Sequence, residues 1–208
     1  MKKTVILISG RGSNMQAIVN AQMPHNICCV LSNNPDAEGL DFARDKGIDT
    51  CVVNHRDYPD RDSFDQALGD VIDMYKPDLI VLAGFMRILT SNLVERFAER
   101  IINIHPSLLP AFRGLNTHAK AIESGAKLHG CTVHFVTSDL DEGPIIAQSA
   151  LRIKPEDSKQ TLADRILVLE HEILPKSIAW ILDGRCTISA NRITLDPTIV
   201  NDSFSFQR

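Results

Sequence analysis

The chain has 208 residues, of which 44% are hydrophobic and 23% are charged, and its formal net charge is −4. This composition is ordinary for a globular enzyme, and the mild negative charge disfavours nucleic acid or an anionic membrane as partners. No apolar run approaches the roughly 18 residues that a membrane helix requires. We therefore expect small-molecule partners, and the sequence leaves a homodimer open.

The five cysteines form neither a zinc-ligand pattern nor a C-x-x-C redox pair. Free thiols that pack as small apolar groups are typical of a reducing compartment, so we expect a cytoplasmic protein with no metal. The apolar stretch after Lys2 and Lys3 is short and has no cleavage pattern behind it. It predicts a first strand rather than a signal peptide.

Short apolar runs alternate with amphipathic segments in the first half of the chain, and they predict buried strands separated by helices. The predicted strands are 4–8, 27–31, 50–53, 79–83 and 101–104, and the predicted helices are 14–22, 38–46, 63–75 and 91–97. This alternation predicts an α/β fold with a doubly wound, mostly parallel sheet and a Rossmann-like N-terminal half.

The pattern changes after residue 105. A loop rich in Pro and Gly leads to a predicted helix at 117–124, predicted strands at 129–136 and 144–153, and a long helix that contains Pro175 as a predicted kink. Residues 190–208 are polar and unpatterned, so we expect a loosely held C-terminal tail. The remainder, 1–189, is predicted to be a single domain.

The first candidate for chemistry is a strand end that carries an amide and an imidazole. Asn103 and His105 are two positions apart, so in an extended strand they point to the same side. Pro106 then ends the strand. The simpler interpretation, that these side chains only cap backbone groups, is weakened by the other polar motifs of the chain.

A glycine-rich turn follows the first strand and opens the first helix, with Gly12, Ser13 and Asn14 at its centre. Unpaired N–H groups at a helix start favour a phosphate, although a tight turn with Ser13 or Asn14 as a cap explains the segment equally well. A dinucleotide fingerprint requires a glycine where Met15 stands and an acid after the second strand, where the chain has Leu31-Ser32-Asn33-Asn34. NAD is therefore disfavoured.

A third motif is the acidic turn Ser138-Asp139-Leu140-Asp141-Glu142-Gly143-Pro144 between two predicted strands. Such segments are usually only turns. However, ligands of α/β proteins gather at the carboxyl ends of strands, where His105 also lies. A carboxylate close to His105 would favour the charged imidazolium, which could then donate a proton.

Together these motifs resemble the folate-dependent formyltransferase family, from about residue 4 to about residue 186. The segments that carry the resemblance are Ser9-Gly10-x-Gly12-Ser13-Asn14, Ala83-Gly84-Phe85-Met86-Arg87-Ile88-Leu89, Asn103-Ile104-His105-Pro106-Ser107-Leu108-Leu109-Pro110 and Asp141-x-Gly143-Pro144-Ile145. The Gly12-Ser13-Asn14 turn is similar to that of the branch acting on a ribonucleotide. The resemblance implies transfer of a formyl group from the co-substrate 10-formyltetrahydrofolate to the amino group of 5-phosphoribosylglycinamide, in purine biosynthesis.

The resemblance also implies a role for individual residues, with a phosphate-binding half at about 1–100 and a catalytic and folate-binding half at about 101–189. It implies catalysis by Asn103, His105 and Asp141, substrate binding by Gly12, Ser13, Asn14 and Glu170, and folate binding by Arg61, Met86, Arg87, Ile88, Leu89 and Asn103.

Two alternatives remain. One is a formyltransferase acting on another amine, such as an aminoacyl-tRNA or an amino sugar; those relatives generally carry an added C-terminal domain, for which we expect the residues after Ser189 to be too few. The other is a non-catalytic folate- or nucleotide-binding module on the same fold. A pure binder would not need Asn103, His105 and Asp141 together.

Overall fold

The computed structural model describes residues 1–207, and these divide into two compact units. Unit 1 is Met1–Asn103, and unit 2 begins at Ile104. The chain passes from one unit to the other within the strand Ile101–His105.

Unit 1 alternates strands and helices along the chain, as the sequence predicts. Its elements are β1 (Lys3–Ile8), α1 (Ser13–Asn20), β2 (Asn26–Ser32), α2 (Gly39–Asp45), β3 (Thr50–Val52), a 3-10 turn (His55–Asp57), α3 (Arg61–Tyr75), β4 (Leu79–Leu82), α4 (Ser91–Arg96) and β5 (Ile101–His105).

The strands of unit 1 are parallel, in the order β5-β4-β1-β2-β3. Strand β1 is central: Leu7 pairs with Leu31 of β2 on one side and with Leu82 of β4 on the other. Its residues from Val5 to Ile8 are completely buried. This order is that of a Rossmann half, in which the strand order reverses beside β1 and ligands collect at the carboxyl ends.

Helix α3 shows how the sequence determines a boundary in unit 1. The Asp60 side chain accepts a hydrogen bond of 2.8 Å from the Ser63 backbone N–H, which caps the start of the helix. Phe64, Leu68 and Ile72 then form its buried stripe. Burial of each such side chain contributes about 1.5–3 kcal/mol, so this face fixes the helix on the core.

Unit 2 is built on antiparallel strands and one long helix. Its elements are α5 (Thr117–Glu123), β6 (Leu128–Phe135), β7 (Ile145–Arg152), α6 (Lys159–Leu182), β8 (Cys186–Ser189), β9 (Arg192–Leu195), a 3-10 turn (Asn201–Ser203) and β10 (Phe204–Gln207). Strands β6 and β7 are antiparallel, and α6 packs on both. Pro175 lies inside α6, where the sequence places it.

The C-terminal segment differs from the predicted loose tail. Strands β8 and β9 form a hairpin, and β10 pairs in parallel with β7, where the Ser205 and Ser149 hydroxyls are 2.7 Å apart. The expectation of a loosely held tail was wrong because hydrophobic periodicity does not detect four-residue strands that are held mainly by backbone pairing. The hairpin turn, Ala190-Asn191, also has positive φ values without the glycine that usually marks such turns.

Candidate active site

Strand β5 presents Asn103 and His105 two residues apart, and its alternation places both side chains on one side. The His105 residue is only 5% exposed, whereas Asn103 is half-buried. Nε2 of His105 lies 3.1 Å from the carbonyl oxygen of Phe112. The imidazole is therefore held in place on a buried strand end.

The Asp141 carboxylate reaches His105 from the loop between β6 and β7. Its Oδ2 lies 3.4 Å from Nδ1 of His105, and both side chains are less than a tenth exposed. The same Oδ2 accepts a hydrogen bond of 2.9 Å from the Gly114 N–H, and Oδ1 lies 3.9 Å from Nε2 of His134. The acidic turn thus does bring a carboxylate to the imidazole, as the sequence predicted.

Two further features fix the Asp141 loop. Arg113 forms an ion pair with Glu142, the residue after Asp141. A Cβ at Gly143 would lie 1.7 Å from the carbonyl oxygen of Phe135, so only glycine fits there. Asp141 itself has a φ of 55°, which is uncommon for a residue with a side chain. The loop is therefore held in one particular conformation, with the carboxylate aimed at His105.

Thr132 of β6 fastens the segment that follows His105. Its hydroxyl donates to the Ser107 carbonyl at 2.7 Å and accepts from the Leu109 N–H at 3.1 Å. Gln148 of β7 donates to the same hydroxyl at 3.0 Å and to the Leu109 carbonyl at 2.9 Å. This buried network satisfies the backbone of a loop that would otherwise leave polar groups unpaired.

Three other histidines of unit 2, His118, His129 and His134, interact electrostatically with His105. Nδ1 of His118 lies 3.1 Å from Nε2 of His129, and His129 is completely buried. Burial lowers the pKa of His118 and of His134, and it lowers the pKa of His129 to about 4. These rings are thus favoured in the neutral form, because burial penalises the charge.

The predicted phosphate turn lies in unit 1. Helix α1 begins at Ser13, and its N-cap is Gly12, with φ 70° and no side-chain cap. The interpretation in which Ser13 or Asn14 caps the helix was therefore wrong. An added Cβ at Gly12 would lie 3.2 Å from the Gly39 Cα. The close backbone approach and the absence of a side-chain cap at Gly12 suit an anion, because the first N–H groups of a helix lack an acceptor within the helix itself.

The Met86–Leu89 stretch follows β4 in unit 1. Because the resemblance implies that it binds the formyl donor, we call it the donor segment. The side chains of Met86 and Ile88 are exposed. The Arg87 guanidinium lies 5.8 Å from the centre of the Phe64 ring, and Arg61 is exposed at the start of α3. The donor segment thus combines a supported backbone with apolar side chains that are accessible to solvent.

Three residues that hold the loops of unit 1 have no role predicted from the sequence. The Ser9 hydroxyl accepts from the Met86 N–H, Asn33 accepts from that hydroxyl, and Asp65 accepts from the Thr90 N–H at 2.5 Å. Ser9 belongs to a motif already singled out, and Asn33 is polar at the end of a buried strand. These sequence positions could have indicated a role for Ser9 and Asn33, whereas nothing in the residue pattern of α3 distinguishes Asp65.

Glu170 lies on α6 and is 7% exposed, so the sequence-predicted carboxylate is largely withdrawn from solvent. Burial raises the pKa of the nearby Cys131 thiol, and the Glu170 carboxylate raises it further. A thiol with a raised pKa is a poor nucleophile, so Cys131 is not suited to a covalent role.

Within residues 1–207, no group of His, Cys, Asp and Glu side chains is arranged to hold a metal ion. None of the helices in this range combines the length and apolar character needed to cross a bilayer. All five cysteines are free thiols.

The family model described as formyl transferase matches residues 2–178. The chain therefore belongs to the formyl transferase family, and it is an enzyme of the transferase class. Membership of this family implies, in general, a folate co-substrate as the formyl donor.

Comparison with individual proteins gives more specific similarities than the family model does. The chain is 45% identical over 196 residues to the phosphoribosylglycinamide formyltransferase of Escherichia coli (strain K12), covering 92% of each. It is 40% identical over 194 residues to the trifunctional purine biosynthetic protein adenosine-3 of Bos taurus, covering 91% of this chain and 19% of that protein. The structure of phosphoribosylglycinamide formyltransferase from Coxiella burnetii in complex with CHES matches with a TM-score of 0.92 and 43% identity, covering 99% of each. This likeness confirms the predicted fold class.

Proposed function

We propose that this chain transfers the formyl group of 10-formyltetrahydrofolate to the amino group of 5-phosphoribosylglycinamide, in purine biosynthesis. The names of its relatives support this reaction. The observation that carries the assignment within the molecule is the buried contact of 3.4 Å between His105 and Asp141. Formyl transfer between amines requires an oxyanion stabiliser and a proton carrier, and this pair can supply both.

The reaction begins when the substrate amine attacks the formyl carbon, which becomes tetrahedral and bears an oxyanion. The side-chain N–H of Asn103 and a protonated His105 donate hydrogen bonds to that oxygen. Loss of one such donor typically costs about 100- to 1,000-fold in rate. The C–N bond to the folate then breaks, and the leaving folate nitrogen takes up a proton.

Asp141 orients His105 and carries the proton from the attacking amine to the leaving nitrogen, directly or through water. Each His105 ring nitrogen faces an oxygen acceptor, the Asp141 carboxylate at Nδ1 and the Phe112 carbonyl at Nε2. Two acceptors suit an imidazolium, since both of its nitrogens are donors. The Nε2 proton is the one offered to the oxyanion, in place of the Phe112 carbonyl. No step requires a metal.

The remaining residues are assigned to substrate binding. The N–H groups of the Gly12-Ser13-Asn14 turn, at the positive end of α1, bind the phosphate. A carboxylate accepts both hydrogens of a diol, so Glu170 binds the ribose. Arg61 and the donor segment bind the folate, whose flat ring edge pairs with exposed backbone groups. We also propose a cytoplasmic location, which the five free cysteines support.

A turnover assay tests this function. Wild-type protein is given 10-formyltetrahydrofolate with 5-phosphoribosylglycinamide, or with an aminoacyl-tRNA or an amino sugar, and the formylated product is separated and measured. We expect turnover only with the ribonucleotide, reduced at least about 100-fold in His105→Ala. If the protein prefers one of the other amines, that amine is its substrate in place of 5-phosphoribosylglycinamide. Binding of both ligands without turnover would indicate a non-catalytic module.

A further inference from the structure

The side-chain hydroxyl of Ser9 joins two loops of unit 1. Its Oγ accepts a hydrogen bond of 2.7 Å from the backbone N–H of Met86. It donates one of 2.6 Å to Oδ1 of Asn33. A hydroxyl can accept and donate at the same time, so both bonds coexist. Ser9 directly follows β1, whereas Met86 begins the donor segment, so one side chain links the end of the central strand to that segment.

Asn33 is placed to hold the Ser9 hydroxyl rather than to bind a ligand. The residue is 4% exposed and follows the last residue of β2. Nδ1 of His55 lies 2.8 Å from the backbone carbonyl oxygen of Asn33 and 3.1 Å from Nδ2 of the Asn33 side chain. At this strand end a dinucleotide-binding protein would carry an acid. Here the Asn33 amide oxygen instead accepts a hydrogen bond from the Ser9 hydroxyl, which leaves the lone pairs of the Ser9 oxygen to accept from the Met86 N–H.

A second contact holds the chain just beyond the donor segment. The Asp65 carboxylate, in a residue that is 2% exposed, accepts a hydrogen bond of 2.5 Å from the Thr90 N–H. Between these two anchors the side chains of Met86 and Ile88 are 66% and 56% exposed. The backbone is thus fixed at both ends, although the segment has little apolar packing of its own.

We propose that Ser9 and Asn33 are positioning residues for the formyl donor, because they fix the Met86 amide at the start of the donor segment. The inference rests on the proposed function, in which that segment binds the folate. The turn at Gly12 has separate support: the Gly39 N–H donates to the Gly10 carbonyl at 3.1 Å, and the Gln16 N–H donates to the Gly12 carbonyl at 2.9 Å. Loss of the Ser9 hydroxyl should therefore weaken donor binding while sparing phosphate binding.

The test compares Ser9→Ala with wild type, with Ser9→Thr, which restores a hydroxyl, and with the control Ser203→Ala. The Ser203 hydroxyl likewise donates one hydrogen bond, at 2.7 Å, although its acceptor is the backbone carbonyl of Val200. In Ser9→Ala we expect the KM for 10-formyltetrahydrofolate to rise about 3- to 10-fold, the loss typical of one hydrogen bond. The KM for 5-phosphoribosylglycinamide and the kinetics of Ser203→Ala should stay unchanged, and Ser9→Thr should recover most of the donor KM.

Hydrogen exchange gives a readout that does not depend on turnover. The Met86 amide should exchange about 3- to 10-fold faster in Ser9→Ala, whereas the Thr90 amide, held by Asp65, should keep its rate. If Ser9→Ala does not fold, Asn33→Ala breaks the same chain of hydrogen bonds, and we expect a smaller shift in the same direction.

Equal increases in both KM values would indicate general loosening and overturn the proposal. Unchanged Met86 exchange or an unchanged donor KM, with an active wild type, would also overturn it. By contrast, a wild type that does not turn over this substrate pair would overturn the proposed function, and the exchange data would still decide whether Ser9 anchors Met86.

Discussion

Replacement of Asp141 by asparagine tests the electrostatic part of the mechanism with almost no change in shape. Two unit charges 3.4 Å apart attract each other by about 5 kcal/mol at an effective dielectric constant near 20. Both side chains are less than a tenth exposed, so water screens this pair only weakly. A loss of that size in the transition state corresponds to about 10³- to 10⁴-fold in rate.

The amide of Asp141→Asn can still accept from the Gly114 N–H and retain contact with His105. We therefore expect kcat to fall about 10²- to 10⁴-fold, with a smaller effect on substrate binding. Steady-state formation of the formylated ribonucleotide measures the rate, and thermal unfolding verifies the fold. The matched control is Asp139→Asn, which makes the same change at an exposed position of the same loop.

If Asp141→Asn folds normally and retains kcat within about threefold of wild type, the electrostatic role proposed for Asp141 is refuted. An equal loss in Asp139→Asn would also refute it, because the effect would then follow from the charge of the loop rather than from the contact with His105.

Three further predictions concern the packing around this pair. Gly143→Ala places a Cβ 1.7 Å from the Phe135 carbonyl oxygen, so the free energy of unfolding, followed by thermal unfolding, should fall by about 1–3 kcal/mol. The control Gly10→Ala has nothing within 4 Å of its added methyl and should keep the Tm of the wild type. Equal changes of Tm in the two variants would contradict the steric argument. Burial lowers the pKa of His129 from 6.5 to about 4 in the folded protein. Below about pH 6.5 the unfolded state therefore binds one more proton at this residue than the folded state does. The free energy of unfolding should decrease from about pH 6.5 down to about pH 4, by at most on the order of 3 kcal/mol. Denaturant titrations across that range should show a shallower decrease in His129→Gln, and identical slopes would exclude this contribution. Thr132→Val keeps the shape of the side chain but removes the hydroxyl that pairs with the buried Ser107 carbonyl and Leu109 N–H. We therefore expect the free energy of unfolding, measured by the same denaturant titration, to fall by about 1–3 kcal/mol, together with a lower kcat. An unchanged denaturation midpoint would show that water replaces the Thr132 hydroxyl.

The sequence predicts most of unit 1 because its strands are nearly all apolar and its helices carry clear stripes. The order of the strands and the register in which Leu7 pairs with Leu31 and Leu82 come from the structure, because the alternation of strands and helices does not determine them. The contact between His105 and Asp141 was predicted only through a topological rule about strand ends. Periodicity alone says nothing about two residues 36 positions apart.

The supporting contacts could not be read from the sequence. Asp65 lies in the middle of an amphipathic helix and resembles any surface acid, yet it is buried against the Thr90 N–H. Gly143 is an ordinary turn glycine until the Phe135 carbonyl is seen beside it. Hydrogen bonds between distant segments depend on tertiary placement, which local patterns do not encode.

The pairing of β10 with β7 has a consequence for how the polypeptide acquires its structure. Ser149 and Ser205 are 56 positions apart, so β7 must wait for a partner synthesised much later, and closing so long a loop is entropically slow. In the interval one side of β7 has unpaired backbone groups, the kind of edge at which nascent chains associate with each other. Unit 2 should therefore mature after unit 1 and be the more aggregation-prone part during refolding.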